Sequence, residues 1–219
     1  MSWRASLSRW LLPVTLGGLL IGIVLLAVPL TRNVLLRAAG WALVAQDNVP
    51  RADVIVIAVD ADGAGVLEAA DLVHAGVANR IALFADPPDA VDSEFVRRGV
   101  PYSNRAAVST AQLHALGIDN VAVIPRKVAG TTDEGAVLRG WCTEQGYHSV
   151  LFVSTTDHSR RARRMLERSL RGSGTRVIVH YSRYSEFDPD SWWRTRNGIR
   201  IEIFETEKLL ADVLRHPFS

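Results

Sequence analysis

Asp53-Val54-Ile55-Val56-Ile57-Ala58-Val59 (DVIVIAV) decides the fold. Alternating apolar and polar residues would mark a strand wet on one face. An unbroken run rich in β-branched residues marks a strand buried on both faces, the habit of parallel sheets. Working outward, the same kind of run recurs at Arg80–Ala85 (RIALFA), Asn120–Ile124 (NVAVI), Ser149–Ser154 (SVLFVS) and Thr175–Tyr181 (TRVIVHY). Helical spacing fills the intervals at Val66–Ala75, Asn104–Leu116, Thr132–Gln145 and Ser159–Leu170, with glycines at or just beyond their ends. Pro87-Pro88-Asp89 breaks the chain and could open a further helix towards Arg98, and a helix over Ile199–Leu214 closes it. Strands alternating with helices build right-handed βαβ units. The expected fold is α/β: a three-layer αβα Rossmann-like domain over residues 51–215, with a mostly parallel sheet of about five strands, plus one N-terminal transmembrane helix.

The transmembrane expectation comes from Leu11–Leu30, twenty residues without a charge. As a helix they would cross a hydrocarbon core of about 30 Å. A cleaved signal peptide has a shorter apolar run, about 7–15 residues, ending in small residues. Pro29, Leu30, Thr31 and Arg32 follow here instead. The reading is a short N-terminus at 1–9 in the cytoplasm, an anchor at 10–31 and a juxtamembrane helix or linker at 32–50. It implies a bilayer partner and a single pass through the plasma (inner) membrane, with the C-terminal domain outside the cytoplasm. Of 25 basic residues Arg4 and Arg9 precede this stretch's end; from Thr31 onward 23 basic residues balance 23 acidic ones. That balance argues against a nucleic-acid surface. A single cysteine, Cys142, excludes an internal disulfide or a Cys-rich metal site.

Doubly wound folds bind ligands outside the carboxyl ends of their strands. The residues there are Asp60 and Asp62, then Asp86, then Arg126 and Lys127, then Thr155 to His158. No P-loop, nucleophile elbow, zincin motif or G-x-G-x-x-G is present.

Two segments carry a family resemblance: Thr131-Thr132-Asp133-Glu134-Gly135-Ala136, opening a helix, and Val153-Ser154-Thr155-Thr156-Asp157-His158-Ser159-Arg160-Arg161-Ala162, running from strand to helix. With the N-terminal apolar run and a last helix containing Glu202, Glu205 and Lys208, the chain resembles the YdcF/SanA/ElyC family over about Ala52 to Leu210. The sequence departs from that pattern in several places. Asp60-Ala61-Asp62 stands where glycines usually follow the first strand, Asp86-Pro87-Pro88 replaces a glycine pair, and Gly135 replaces an asparagine.

The resemblance implies an envelope protein of peptidoglycan or lipid-carrier homeostasis. Its ligand would be a phosphate-bearing or nucleotide-like metabolite, phosphorylated or lipid-linked. Alternatives are a non-catalytic envelope scaffold and an S-adenosylmethionine-binding protein. If the protein is an enzyme, the chemistry is phosphoester or lipid-carrier hydrolysis or transfer, with His158 as acid/base, Asp60 beside it and Arg161 clamping the anion. Thr132, Asp133, Glu134, Ser154, Thr155, Thr156 and Asp157 are the remaining ligand candidates. Plainer readings stand beside these. Thr131 and Glu134 make a capping box, and Asp157 or Thr156 could cap a helix while His158 packs against the sheet. Asp60 and Asp62 could hold Mg²⁺ or end a strand. The arginines of 160–171 could form a solvated face or meet anionic headgroups. Trp192 and Trp193 could be core or an interface. Glu202, Glu205 and Lys208 read as a structural ion pattern. The sequence assigns no cofactor, no metal and no oligomeric state.

Overall fold

A computed structural model describes residues 28–85, 88–102, 104–125 and 131–217, with the backbone alone at 131–133. Five strands run in chain order: β1 (Val54–Ile57), β2 (Ile81–Ala85), β3 (Val121–Pro125), β4 (Ser149–Ser154) and β5 (Arg176–Tyr181). They pair in the order β3-β2-β1-β4-β5, every neighbour parallel. Ile57 is level with Leu83 on one side and Val153 on the other. All four residues of β1 are buried, as the unbroken apolar run requires, whereas the edge strand β3 is half-exposed.

The helices are α1 (Pro29–Ala42), α2 (Asp62–His74), α3 (Ala90–Arg97), α4 (Arg105–Ala115), α5 (Thr131–Gln145), α6 (Ser159–Leu170) and α7 (Arg196–Arg215). α2 packs with α4, and α5 with α6. Right-handed crossovers put the first pair on one face of the sheet and the second on the other. Gly65 lets α2 approach β1, because a Cβ there would fall on Ile57 and Ala61. Gly135 does the same for α5 and α6, since its Cβ would fall on Ser169. The glycine at 135 therefore has a packing reason.

The chain between α1 and β1 covers the free edge of β5. The Asp47 amide donates to the Val179 carbonyl at 2.9 Å, and the Asp47 carboxylate accepts from the Val179 amide at 2.8 Å. A covered edge has no unpaired ladder groups to offer another strand. The tryptophan pair is structural: Trp192 Nε1 donates to the Leu36 carbonyl at 2.8 Å and meets Trp193 edge-on.

The transmembrane helix is corrected. No helix among the described residues is long and apolar enough to cross a membrane. Residues 1–27, most of the expected anchor, lie outside the described residues. Its last four, 28–31, lead into or open α1, a helix of 14 residues that carries Arg32 and Arg37. Fourteen residues rise only about 21 Å, and Arg37 pairs with Asp190 at 3.7 Å, on the protein itself. The bilayer partner and the single-pass inner-membrane localisation depended on that anchor and are withdrawn with it.

Candidate functional site

The strand order reverses between β1 and β4. From β1 the chain winds outward through β2 and β3, then returns to build β4 and β5 on the other side. The crevice beyond two such strands is where doubly wound folds place their chemistry. A single 3₁₀ turn, Val59–Ala61, follows β1 and carries Asp60. The loop after β4 leads through Thr155, Thr156 and Asp157 to His158, the residue that precedes α6. α7 lies against this crevice and contributes Glu202 and Glu205, both buried.

These residues form a series from solvent inward. The Asp60 side chain is 46% exposed, and its Oδ2 lies 3.8 Å from His158 Nε2. The His158 ring is 1% exposed, and its Nδ1 lies 3.5 Å from Glu205 Oε2. Glu205 in turn accepts from Arg161 Nε at 3.0 Å and from Lys208 Nζ at 2.6 Å. Neither contact of the imidazole reaches ordinary hydrogen-bond length, and both its nitrogens lack a hydrogen-bond partner. Buried polar atoms in folded proteins are usually paired, so an orphaned imidazole wants an explanation.

The electrostatics split the acids into two groups. Burial alone would lower the basicity of His158, but the charge of Asp60 and the contact with Glu205 reverse this and raise its pKa, against a smaller opposing effect of Arg161. Burial also works against a charged Glu205. His158, Lys208 and Arg161 outweigh it and bring that carboxyl down to about 2. Asp157 moves upward, through burial and then the charges of Glu205 and Asp60. Glu202 moves upward too, through burial and the charge of Asp157, against a hydrogen bond from Thr206. Carboxyl groups driven apart within one cluster are a mark of acid–base sites.

The expected receptor for negative charge is corrected. Two of the amides that open α6 are engaged: Arg160 N–H donates to the Leu43 carbonyl at 3.1 Å and Ser159 N–H reaches the Thr156 carbonyl at 3.4 Å. The Arg161 guanidinium, the intended clamp, is held by Glu205. An incoming phosphate would face Asp60, Asp157, Glu202 and Glu205. The phosphate-bearing or nucleotide-like ligand is therefore withdrawn, as is the envelope role that combined it with the anchor. Neither the inert envelope scaffold nor S-adenosylmethionine binding gains an observation in its place.

The other candidates divide. Ser154 is fully buried and its Oγ donates to the Thr155 carbonyl at 3.1 Å. Thr156 is tied to Ser182 and Ser185, so both hold the loop rather than face the crevice. Thr155 and Asp157 are half-buried at the turn, but neither caps α6, whose start has no side-chain cap. Glu134 is buried at the start of α5. The side chains of Thr131, Thr132 and Asp133, together with Asp86, Arg126 and Lys127, lie outside the described residues. Asp60 and Asp62 do not converge: Asp62 turns away to Arg105 at 3.3 Å. Among the described residues no group of three or more His, Cys, Asp or Glu side chains is arranged to hold a metal ion. Asp62 also has φ +40°, a conformation that favours glycine.

The arginines of α6 stitch the protein together. Arg160 donates to the Trp41 and Val44 carbonyls, Arg163 pairs with Asp47, and Arg164 and Arg168 both grip Asp212 of α7. That excludes the headgroup reading for these four. Sequence reasoning missed Glu205 as a site residue. Its only signal was a pair of carboxylates, Glu202 and Glu205, on one side of a helix, which also fits a surface ion pattern. No family model matches the chain, and no curated protein matches it.

Proposed function

We propose that this protein is an acid–base enzyme in which Asp60 is the group that meets the substrate. His158 and Glu205 stand in series behind it. The observation that carries this reading is the ordered series Asp60, His158, Glu205 at the strand-order reversal, with only its first member open to solvent. In this reading the Asp60 carboxylate accepts a proton from a bound hydroxyl or water and returns it to the leaving group. His158, 3.8 Å behind Asp60, orients that carboxylate towards the crevice. Glu205 keeps His158 charged, and Arg161 and Lys208 keep Glu205 anionic. His158 is sealed, so it is a positioning residue. The surrounding carboxyl groups favour an uncharged or cationic substrate. Kinship with the YdcF/SanA/ElyC family stays a proposal resting on residues 131–136 and 153–162.

The test compares hydrolysis of p-nitrophenyl acetate, which is neutral, with that of p-nitrophenyl phosphate. The expected result is turnover of the ester, lost about 100-fold or more in Asp60→Asn, and little turnover of the phosphate. No turnover of the ester, an Asp60→Asn variant as active as its parent, or a preference for the phosphate would overturn the proposal.

A second reading has one observation in its favour, the near-complete burial of His158. The cluster would then act only as an electrostatic clamp holding α7 to the sheet. Under that reading Asp60→Asn and Glu205→Gln both lower thermal stability. Under the first, Asp60→Asn removes activity while the protein stays fully folded at the assay temperature.

A further inference from the structure

α7 has 20 residues, yet the positions it buries are Gly198, Glu202 and Glu205. Carboxylates hold it to the body of the protein: Glu205 on Arg161 and Asp212 on Arg164 and Arg168. Its large apolar side chains point elsewhere. Ile199, Ile203, Leu210 and Leu214 are 40%, 59%, 57% and 81% exposed, and Val213 is exposed beside them. At 3.6 residues per turn these fall on a single stripe. Phe204, also exposed, lies off this stripe. A stripe of this kind marks a surface that another element covers.

We infer that a second copy of this chain covers it, with the two α7 helices packed antiparallel about a two-fold axis. The spacing points to a self-complementary surface, which a two-fold interface requires. Ile199, Ile203, Leu210 and Leu214 are separated by four, seven and four residues, a pattern that reads the same in both directions. Reversed on itself, it sets Ile199 opposite the partner's Leu214 and Ile203 opposite the partner's Leu210, with the axis between Thr206 and Glu207. The area agrees. The stripe offers on the order of 500 Å² per copy, so the pair would bury about 1,000 Å² before flanking Arg196, Arg200 and Glu207 are counted, which is the threshold for a specific interface.

Sedimentation equilibrium on the full chain tests the inference, with oxidative cross-linking to place the axis. Cys142 is buried, and burial pushes its thiol up to about 12, so it does not compete. The expected result is a dimer that Ile203→Glu and Leu210→Glu each convert to a monomer at the same concentration, with unchanged circular dichroism. Glu207→Cys, next to the axis, links two copies on mild oxidation. Ile199→Cys, far from its own symmetry mate, does not link to itself, but a mixture with Leu214→Cys does. A chain that stays monomeric overturns the inference. So does Ile203→Glu lowering the melting temperature of a monomer, which would mean that the stripe is covered within the same chain. A dimer in which Ile199→Cys links and Glu207→Cys does not contradicts the antiparallel arrangement.

Discussion

Two histidines, each buried and each beside a carboxylate, lie on or just beyond adjacent strands and are held in opposite ways. His180, on β5, has both ring nitrogens engaged: Nε2 with Glu68 at 2.9 Å and Nδ1 with Gln46 at 3.2 Å. Glu68 also accepts from the Arg183 amide at 2.9 Å. Arg183 and Tyr184 then reach Asp71 on the same helix. His158, after β4, sits between Asp60 and Glu205 with neither contact closed to hydrogen-bond length. The first is a satisfied polar network of the sort that fixes one packing of a core. The second keeps its proton-binding atoms uncommitted at the one place in the sheet where the winding reverses. A buried histidine is thus no sign of function in itself; what matters is whether its partners leave it anything to do.

The comparison breaks most visibly at Asp60. Asp60→Asn should lower turnover of the neutral ester about 100-fold or more, roughly 3 kcal/mol in the barrier, with its circular dichroism unchanged at the assay temperature. No matching activity loss should follow from Glu68→Gln.

The next largest effect is on stability. His180→Leu leaves Glu68 Oε1 and the Gln46 amide without their partner in a buried place and should cost about 2–3 kcal/mol in urea denaturation. His158→Leu removes a nitrogen pair that has no hydrogen bond while Glu205 keeps Arg161 and Lys208, so its stability should lie within about 1 kcal/mol of the parent or above it. Equal losses at the two positions would erase the distinction.

The pH dependence sharpens the same contrast. His158 has a raised pKa, so its contribution is complete below the unfolded imidazole value of about 6.5 and is lost as pH climbs through the higher folded value. Burial raises Glu68, but its bonds from His180 and Arg183 outweigh that and lower it. Glu205 is lowered to about 2. Both contribute above their unfolded values and fail as the solution is acidified through the folded ones. The urea midpoint should therefore fall on the alkaline side in the parent and not in His158→Leu, while the acid side falls in both.

The smallest expected effect concerns Asp62. Asp62→Gly relieves a positive φ that glycine adopts freely and should raise stability by about 1 kcal/mol, less what the exposed contact with Arg105 gives. A loss of stability would mean that the turn after β1 depends on the carboxylate.

Much of this architecture could be read from residue order. Strands buried on both faces leave unbroken apolar runs, so Ser149–Ser154 and Ser159–Leu170 agree with the structure residue for residue. Asp60 and His158 were legible because topology alone puts the ends of β1 and β4 together. Glu205 was not, because it comes from a helix that begins more than forty residues after β4 ends, and helical spacing gives no clue to which face meets the sheet. The anion receptor failed for a similar reason. Nothing in the order of residues says that the Leu43 carbonyl reaches the start of α6, or that Arg161 already has Glu205. The pairing of His180 with Glu68 gave no signal either, since a strand histidine and a helix glutamate far apart in the chain share no local pattern.

The account rests most directly on the charge of His158, and an imidazole titration by NMR reads it. The resonance is assigned by its absence in His158→Leu and followed in the parent and in Asp60→Asn. The account predicts a His158 pKa above 6.5 in the parent and a clear fall in Asp60→Asn. A His158 that is neutral at pH 6, or one whose titration ignores Asp60, would contradict it.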